Sequence, residues 1–200
     1  MGAIDRGRLE RATLRSSDAT SDFDLNPGSI PAGIEKRPAG VLVALVDGSN
    51  GPQLLLTKRS SRLKHHPGQI AFPGGKVDPG DDGPVGAALR EAWEEVGLPP
   101  SGVDLLGTLP IHETVTGFLV TPVVAIVTKP FTPVAEPGEV DEVFSVPLSH
   151  VTDASRFRIE QRLWRGQWRR YYAVPYGPYY IWGATARILR GLAERLGHED

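Results

Sequence analysis

Residues 72–98 read FPGGKVDPGDDGPVGAALREAWEEVGL, a segment that passes from a proline-glycine turn into a run of helix-forming residues. Pro84 suits the first turn of a helix, where its missing N–H has no partner to lose. Gly97 suits the position after the last turn, because glycine readily adopts the left-handed conformation that ends many helices. The sequence therefore predicts a helix from Pro84 to Val96.

Three glutamates near the end of this helix are predicted to share one face. Glu94 and Glu95 stand three and four positions after Glu91, a spacing that brings side chains together on a helix. Hard carboxylate oxygens suit Mg²⁺ or Mn²⁺, which also bind phosphate oxygens. Taken alone, the cluster fits a solvated acidic face equally well, with Arg90 compensating part of the repulsion.

A glycine pair, Gly74 and Gly75, precedes the helix and directly follows Pro73. Glycines let the backbone turn tightly and approach a ligand closely, although an ordinary glycine-rich turn has the same composition. A turn of this kind leading into an acidic helix favours a site for a metal ion and a phosphate group. Gly74 and Gly75 are therefore candidate substrate-binding residues.

The segment from Gly75 to Leu98 resembles the Nudix box, which is usually written Gly-x5-Glu-x7-Arg-Glu-U-x-Glu-Glu-x-Gly-U with U aliphatic. The first half departs from this pattern, because Asp81 (or Asp82) takes the place of glutamate and the spacer to Arg90 is one residue longer. The second half matches the pattern at Arg90, Glu91, Ala92, Glu94, Glu95, Gly97 and Leu98.

The resemblance implies an α/β/α sandwich and a reaction in which water attacks a phosphorus of a nucleoside diphosphate derivative. It implies metal ligands at Glu91 and Glu95, with Glu94 as a third, and an arginine, Arg90, that orients its neighbouring glutamate. The expected cofactor is Mg²⁺ or Mn²⁺, which neutralises the diphosphate and lowers the pKa of a bound water.

The general base must be a carboxylate that reaches the attacking water. Glu139 and Glu142 follow a proline-rich segment from Lys129 to Gly138, where many relatives place a loop glutamate. Glu94 is the other candidate. Sequence alone does not choose among the three, and Glu139 and Glu142 also fit a solvated loop.

The residues before the box, Leu55 to Ser60 and Leu63 to Gly75, resemble the motif that precedes it in coenzyme A pyrophosphatases. The aspartate and the longer spacer in the box recur in that subgroup. The resemblance implies hydrolysis of coenzyme A or acyl-CoA to 4′-phosphopantetheine, or its acyl form, and adenosine 3′,5′-bisphosphate. Basic side chains are candidates for binding the ribose 3′-phosphate, namely Lys58, Arg59, Arg62 and Lys64, with His65 and His66 beside them.

Two other functions stay open. The same metal chemistry suits ADP-ribose, a dinucleoside polyphosphate or an oxidised nucleotide, and the loop from Arg59 to Gln69 is the feature that separates these substrates. A Nudix domain without catalysis would sense a nucleotide instead, but the intact glutamates at 91, 94 and 95 favour an enzyme.

The composition argues against several classes of function. A net charge of −2 over 200 residues gives no basic surface for nucleic acid, and the absence of cysteine removes disulfides, thiolate catalysis and cysteine-based zinc sites. The first residues lack a signal-peptide pattern, and no apolar stretch reaches the roughly 18 residues of a membrane span. The sequence predicts a cytoplasmic protein that binds a small nucleotide, with no nucleic-acid or membrane partner.

Residues 1–35 are predicted to form an N-terminal arm, loosely packed or used in dimer contacts, with a short helix near Arg8 to Leu14. Residues 36–200 are predicted to form one Nudix domain, a mixed β-sheet sandwiched between helices. A long loop is expected from Ser60 to Gly83. An amphipathic helix is expected from Ile181 to Leu196, with its arginines on the polar face. Strands are predicted at residues 39–46, 53–58, 103–109, 118–127 and 143–146.

The aromatic stretch from Trp164 to Trp182 includes a predicted hairpin around the turn Arg165-Gly166-Gln167. Aromatic side chains at strand spacing fit a core or a dimer face better than an adenine-stacking platform. A homodimer is therefore one expectation for this stretch.

Overall fold

The computed structural model describes residues 4–27, 33, 35–164 and 166–197. Within these ranges, four α-helices alternate with strands along the chain. The helices are α1 (Arg6–Leu14), α2 (Gly83–Val96), α3 (Leu148–Val151) and α4 (Ala184–Gly197). The strands are β1 (Thr20–Ser21), β2 (Arg37–Gly48), β3 (Gly51–Arg59), β4 (Ile70–Ala71), β5 (Gly74–Lys76), β6 (Val103–Thr108), β7 (His112–Glu113), β8 (Phe118–Val127), β9 (Val140–Pro147), β10 (Arg158–Trp164) and β11 (Gln167–Ala173).

Strand β2 lies inside a nine-stranded mixed sheet, whose main order is β1-β7-β8-β2-β3-β4. It runs parallel to β8, while its first half pairs with β5 and its second half with β3, both antiparallel. Between these two partners the N–H of Leu42 donates to the carbonyl oxygen of Pro73, 2.8 Å away. The sheet therefore opens beside residues 72–75, and the candidate site lies at this opening.

Two hydrophobic clusters cover opposite faces of the sheet. One contains Leu55 of β3 and Ala92 of α2. The other contains the neighbouring Leu56 together with Leu189 of α4 and Leu9 of α1. Because alternate residues of a strand point to opposite faces, β3 contributes to both clusters. The predicted α/β/α sandwich is confirmed.

Helix α2 begins and ends where the sequence predicts. Pro84 lies in its first turn, and Gly97 ends it with a φ of 72°, in the left-handed region. The helix also lies unusually close to β2, because a Cβ added to Gly40 would stand 1.8 Å from the carbonyl oxygen of Pro84. Glycine at position 40 thus permits the contact that places α2 over the opening of the sheet.

The prediction of an unbroken loop from Ser60 to Gly83 is wrong. Strands β4 and β5 occupy part of it and pair with β3 and β2. Each is only two or three residues long, too short for a period-two pattern to appear in the sequence. The same reason hides β7, and β9 begins at Val140, three residues before the predicted strand.

The N-terminal segment packs on the sheet in the part that the structure describes, so the expectation of loose packing is wrong there. Leu9 and Ala12 of α1 are buried, and β1 extends the sheet edge parallel to β7. The buried imidazole of His112 lies 2.9 Å from Thr20 Oγ1 and 3.2 Å from Asp22 Oδ1. Residues 1–3, 28–32 and 34 of the predicted arm lie outside the described residues.

Helix α4 buries Leu189 and Leu192 as predicted, but Arg195 departs from the expected polar face. This arginine is 8% exposed, and its Nη1 donates to the carbonyl oxygens of Ala12 and Arg15 at 2.8 and 2.5 Å. These carbonyls end α1, and their partial negative charge explains why a guanidinium is stable there.

The predicted hairpin is confirmed as β10 and β11, which form a two-stranded antiparallel sheet of their own. Arg165 of its predicted turn lies outside the described residues. Among the helices that the structure describes, none is long and apolar enough to cross a membrane.

Candidate active site

Glu95 is the most buried acidic side chain of α2, with an exposure of 5%. One carboxylate oxygen, Oε2, accepts a hydrogen bond from the backbone N–H of Gly74 at 3.1 Å. The other, Oε1, lies 3.9 Å from Nη1 of Arg59, at the end of β3. The helix, the glycine turn and the end of β3 therefore meet at this one carboxylate.

Gly75 makes room for the second carboxylate. A Cβ added at this position would stand 2.3 Å from Oε1 of Glu91, far inside van der Waals contact. Gly74 is restricted in a similar way, because a Cβ there would stand 2.4 Å from the carbonyl oxygen of Gly40. The substrate contact of the glycine pair stays a prediction. In the structure Gly74 donates its N–H to Glu95, and Gly75 leaves the space that Glu91 occupies.

Arg90 connects the acidic residues around the start and end of α2. Its guanidinium donates to both carboxylate oxygens of Asp81, at 2.9 and 3.0 Å, and to the carbonyl oxygen of Lys76 at 3.2 Å. It also donates to Glu91 Oε1 at 3.0 Å and to Glu94 Oε2 at 2.8 Å. Hydrogen bonds from Arg90 lower the pKa of Asp81. In return, the carboxylates of Asp81, Glu91 and Glu94 raise the pKa of Arg90.

The role of Asp81 is the feature that sequence reasoning did not assign. In the sequence it marks only a departure from the box, nine positions before Arg90. In the structure its bidentate pair fixes the guanidinium that contacts Glu91. No local sequence pattern reveals this contact, because it depends on the turn at residues 78–82, which brings Asp81 back beside Arg90.

Burial raises the pKa of Glu95 to about 7, and the negative charges of Glu91 and Glu139 act in the same direction. The Gly74 N–H and the Arg59 guanidinium oppose this shift. Burial also raises the pKa of Glu91, although Arg90 offsets part of the effect. The site thus holds more negative charge than its own cations neutralise, an arrangement that a divalent cation would stabilise.

The carboxylates present fit a divalent cation that takes some of its ligands from the protein and the others from water and a substrate. In the described ranges, no three acidic or histidine side chains are gathered into a complete metal-binding group. Glu91 and Glu95 still offer two carboxylates, and Mg²⁺ is usually held by one or two carboxylates together with water and phosphate oxygens. Glu94, the third predicted ligand, is half exposed and paired with Arg90.

The structure separates the two loop glutamates predicted as general bases. Glu139 lies close enough to Glu91 and Glu95 to raise the pKa of both, and its carbonyl oxygen accepts the N–H of Ser60 at 2.8 Å. Glu142 instead faces Lys58 across β9 and β3. It accepts a hydrogen bond from the hydroxyl of Tyr179 at 2.6 Å.

The basic loop, residues 59–69, is held beside the glutamates by backbone hydrogen bonds. The carbonyl of Arg59 accepts the N–H of Gly68 at 3.1 Å, and the N–H of Ser61 donates to Asp141 at 2.9 Å. This N–H lowers the pKa of Asp141, and the charge of Arg62 contributes in the same direction. The other predicted basic residues of the loop are exposed, namely Lys64, His65 and His66.

Comparison with known proteins places this site in a family. A family model described as the NUDIX domain matches residues 36–166, more than half of the chain. The chain belongs to the Nudix family. The match covers β2 through β10, and so contains α2, the glycine pair and the basic loop.

Curated relatives extend the likeness over nearly the whole chain of this Nudix protein. A protein of Citrobacter koseri named uncharacterized Nudix hydrolase NudL is 42% identical over 190 residues, covering 94% of this chain and 98% of the relative. A protein of the same name from Cronobacter sakazakii is 43% identical over 192 residues, covering 96% and 100%. The chain is therefore a Nudix hydrolase, a pyrophosphohydrolase of nucleoside diphosphate derivatives.

A solved structure supports the fold. The NUDIX domain of Shewanella oneidensis NrtR, in complex with ADP ribose, superposes with a TM-score of 0.52 over 86% of this chain and 94% of that one. The sequence identity is 17%, so the likeness concerns the fold alone. Nudix hydrolases generally use divalent metal ions, in agreement with the carboxylates of α2.

Proposed function

We propose that this Nudix hydrolase cleaves the diphosphate of coenzyme A or an acyl-CoA, giving 4′-phosphopantetheine or its acyl form and adenosine 3′,5′-bisphosphate. The observation that supports this substrate is the position of the basic loop. Its first residue, Arg59, lies 3.9 Å from Glu95, so positive side chains stand next to the carboxylates of α2. A substrate with a diphosphate and a further phosphate matches this arrangement, because the carboxylates with their cation would bind the diphosphate and the basic loop would bind the further phosphate.

Glu91 and Glu95 are the residues that would hold Mg²⁺ or Mn²⁺. When bound, the cation neutralises the diphosphate and lowers the pKa of a coordinated water. Arg90 keeps Glu91 in place through their 3.0 Å hydrogen bond, and Asp81 keeps Arg90 in place in turn. The N–H of Gly74 fixes the orientation of Glu95.

Glu139 is the proposed general base. It is the one of the three candidates whose charge acts on both Glu91 and Glu95, whereas Glu94 is paired with Arg90 and Glu142 with Tyr179. Its carboxylate takes a proton from the attacking water, whose oxygen forms a bond to one phosphorus. The bond from that phosphorus to the bridging oxygen breaks, and the second phosphate leaves with the bridging oxygen.

Arg59, Arg62 and Lys64 are the proposed phosphate contacts, and Arg59 is also placed to bind the diphosphate. Lys58 is left outside this set, because its side chain faces Glu142 on the opposite side of β3. The ribose 3′-phosphate distinguishes coenzyme A from ADP-ribose and from dephospho-coenzyme A. If the basic loop binds that phosphate, its loss affects KM more than kcat.

The test is a substrate panel with Mg²⁺ and with Mn²⁺, comparing coenzyme A, acetyl-CoA, dephospho-coenzyme A and ADP-ribose, with the products identified by mass. We expect kcat/KM for coenzyme A to exceed that for dephospho-coenzyme A by about 10-fold or more. The double variant Arg62→Ala/Lys64→Ala should remove this difference, while Lys58→Ala keeps it. Equal turnover of the two substrates, or a preference for ADP-ribose, would overturn the coenzyme A proposal, and no turnover of any substrate would indicate a nucleotide sensor.

A further inference from the structure

The hairpin of β10 and β11 has two unlike faces. Its inner face contacts the body of the protein, where the guanidinium of Arg162 lies 4.8 Å from the ring centre of Trp182 and that of Arg169 lies 5.3 Å from Phe23. The alternate residues point the other way. The outer hairpin face consists of Ile159, Gln161, Leu163, Trp168 and Arg170. Tyr172, the remaining alternate residue, packs against the core instead, and its ring centre lies 5.6 Å from the guanidinium of Arg187.

Three large apolar side chains of the outer hairpin face are exposed to water. Ile159 is 56% exposed, Leu163 59% and Trp168 65%. Together they leave on the order of 300 Å² of apolar surface in solvent. Leu163 and Trp168 are cross-strand neighbours, and the row of Gln161 and Arg170 separates them from Ile159. The two apolar parts together have an area comparable to the largest apolar patch of a typical monomer, which often has a binding function.

The register of the hairpin gives this face a pattern that is complementary to itself. Gln161 lies opposite Arg170 in a central polar row, and Leu163 lies opposite Trp168 in the row next to it. Consider a second copy related to the first by a two-fold axis that runs parallel to the strands, between the two faces. Each residue of one copy then lies opposite the residue type that is its cross-strand partner within the hairpin, contributed by the other copy. Leu163 of one copy then contacts Trp168 of the other, and the side-chain amide oxygen of Gln161 accepts from the guanidinium of Arg170 across the interface.

We propose that the outer hairpin face binds the same face of a second copy of this chain, forming a two-fold symmetric dimer. Two faces bring together about 600 Å² of apolar surface, and the polar row and edges bring the total towards the roughly 1,200 Å² at the lower end of specific interfaces. Because Gln161 faces Arg170 in this arrangement, the two cations of the central row are not brought against each other.

The first experiment measures the dimer dissociation constant of the full chain by sedimentation velocity over a range of concentrations. Leu163→Asp should raise this constant about 100-fold or more, because it places a charge in the apolar row that the interface buries against Trp168. Leu14→Asp is the matched control, since Leu14 is 82% exposed on α1, far from the hairpin in sequence. It should leave the constant within about 2-fold of wild type.

The second experiment tests the proposed register without adding an acidic group. Gln161→Arg places two arginines together across the interface and should weaken the dimer about 10-fold or more. The double variant Gln161→Arg/Arg170→Gln reverses donor and acceptor, so it should restore the dimer to within about 3-fold of wild type. Circular dichroism of each variant establishes that the hairpin substitutions leave the fold intact.

Three results would overturn the proposal. The first is a wild-type chain that stays monomeric at about 100 μM, and the second is a dimer that Leu163→Asp leaves unchanged. The third is a monomer that sediments with phosphatidylglycerol vesicles in a Trp168-dependent way, which would assign the face to an anionic lipid surface. A dimer that the charge swap does not rescue would exclude the proposed register.

Discussion

Arg90 and Asp81 are joined by two parallel hydrogen bonds, from Nε to Oδ1 at 2.9 Å and from Nη2 to Oδ2 at 3.0 Å. This bidentate pair holds a guanidinium whose third nitrogen, Nη1, contacts Glu91 and Glu94. The side chain of Asp81 is nearly buried, at 7% exposure. The contact therefore extends the carboxylate site from the end of α2 to the turn that precedes it.

Asp81→Ala should lower kcat about 10- to 100-fold while changing KM little, because Arg90 would lose the partner that fixes its contact with Glu91. Steady-state kinetics with saturating Mg²⁺ gives both constants. Asp82→Ala is the control, since the neighbouring Asp82 makes no side-chain capping hydrogen bond to α2. Equal losses in the two variants would indicate a general effect of the turn rather than the Arg90 contact.

Gly75→Ala should reduce turnover about 100-fold and leave the fold intact. The added methyl group would meet the end of the Glu91 side chain, at 2.3 Å from Oε1, and a flexible carboxylate moves more easily than backbone. Gly86→Ala in α2 is the control, because its Cβ would meet no atom closer than 3.4 Å. That change should keep activity and raise the free energy of unfolding by about 0.5–1 kcal/mol. Full activity of Gly75→Ala would contradict the proposed role of Glu91.

The sequence predicts those parts of the site that depend on local spacing. Glu91 and Glu95 are four residues apart on a helix whose ends are marked by Pro84 and Gly97, so their common face follows from helical geometry. The α/β/α sandwich is predictable for a similar reason, because the long strands and helices have clear periodicities. Short strands such as β5 carry no such signal, although β5 is the strand that positions the glycine pair.

Contacts between distant segments are the part that sequence cannot provide. Glu139 and Glu142 are three residues apart and equally plausible as bases, yet β9 begins between them, at Val140. The strand directs Glu142 towards Tyr179 and leaves Glu139 beside the helix glutamates. The same limit applies to Arg195, whose burial depends on where α1 ends.

The metal-free protein should lose stability as pH rises from about 4.5 to about 7, because burial raises the pKa of Glu95 from 4.5 to about 7. The fold favours the protonated carboxyl, so this contribution is complete below pH 4.5 and is lost as pH passes 7. Its size is on the order of 3 kcal/mol. Urea unfolding in EDTA at several pH values measures the change.

Glu95→Gln is the control for this pH dependence, because the amide does not ionise. The variant should show a smaller decrease in stability between pH 5 and pH 8, with the remainder from Glu91, whose pKa is also raised. Mg²⁺ at pH 8 should stabilise the wild type more than the variant, and the variant should lose nearly all turnover. An unchanged pH slope in Glu95→Gln would exclude Glu95 as its source.

Arg8 and Arg195 each bind the end of the other's helix. Arg195 of α4 donates to the carbonyls of Ala12 and Arg15 at the end of α1, and Arg8 of α1 donates to the carbonyl of Leu196 at the end of α4. A cation near a helix C-terminus is stabilising, and burial makes the unpaired carbonyls costly to expose without a donor. Helix α1 is therefore joined to α4 by two sets of hydrogen bonds, one at the C-terminal end of each helix.

Arg195→Met should lower the free energy of unfolding by about 2–4 kcal/mol, because it removes the donors from buried carbonyls while filling similar space. Arg190→Met is the matched control on the same helix, since the hydrogen bonds from Arg190 to Glu194 and to the carbonyl oxygen of Ala154 are exposed. It should change stability by less than about 1 kcal/mol. Urea unfolding measures both, and kcat under native conditions should stay unchanged, because α1 and α4 cover the sheet face opposite α2. A loss of activity in folded Arg195→Met would instead show that the N-terminal segment controls the geometry of the active site.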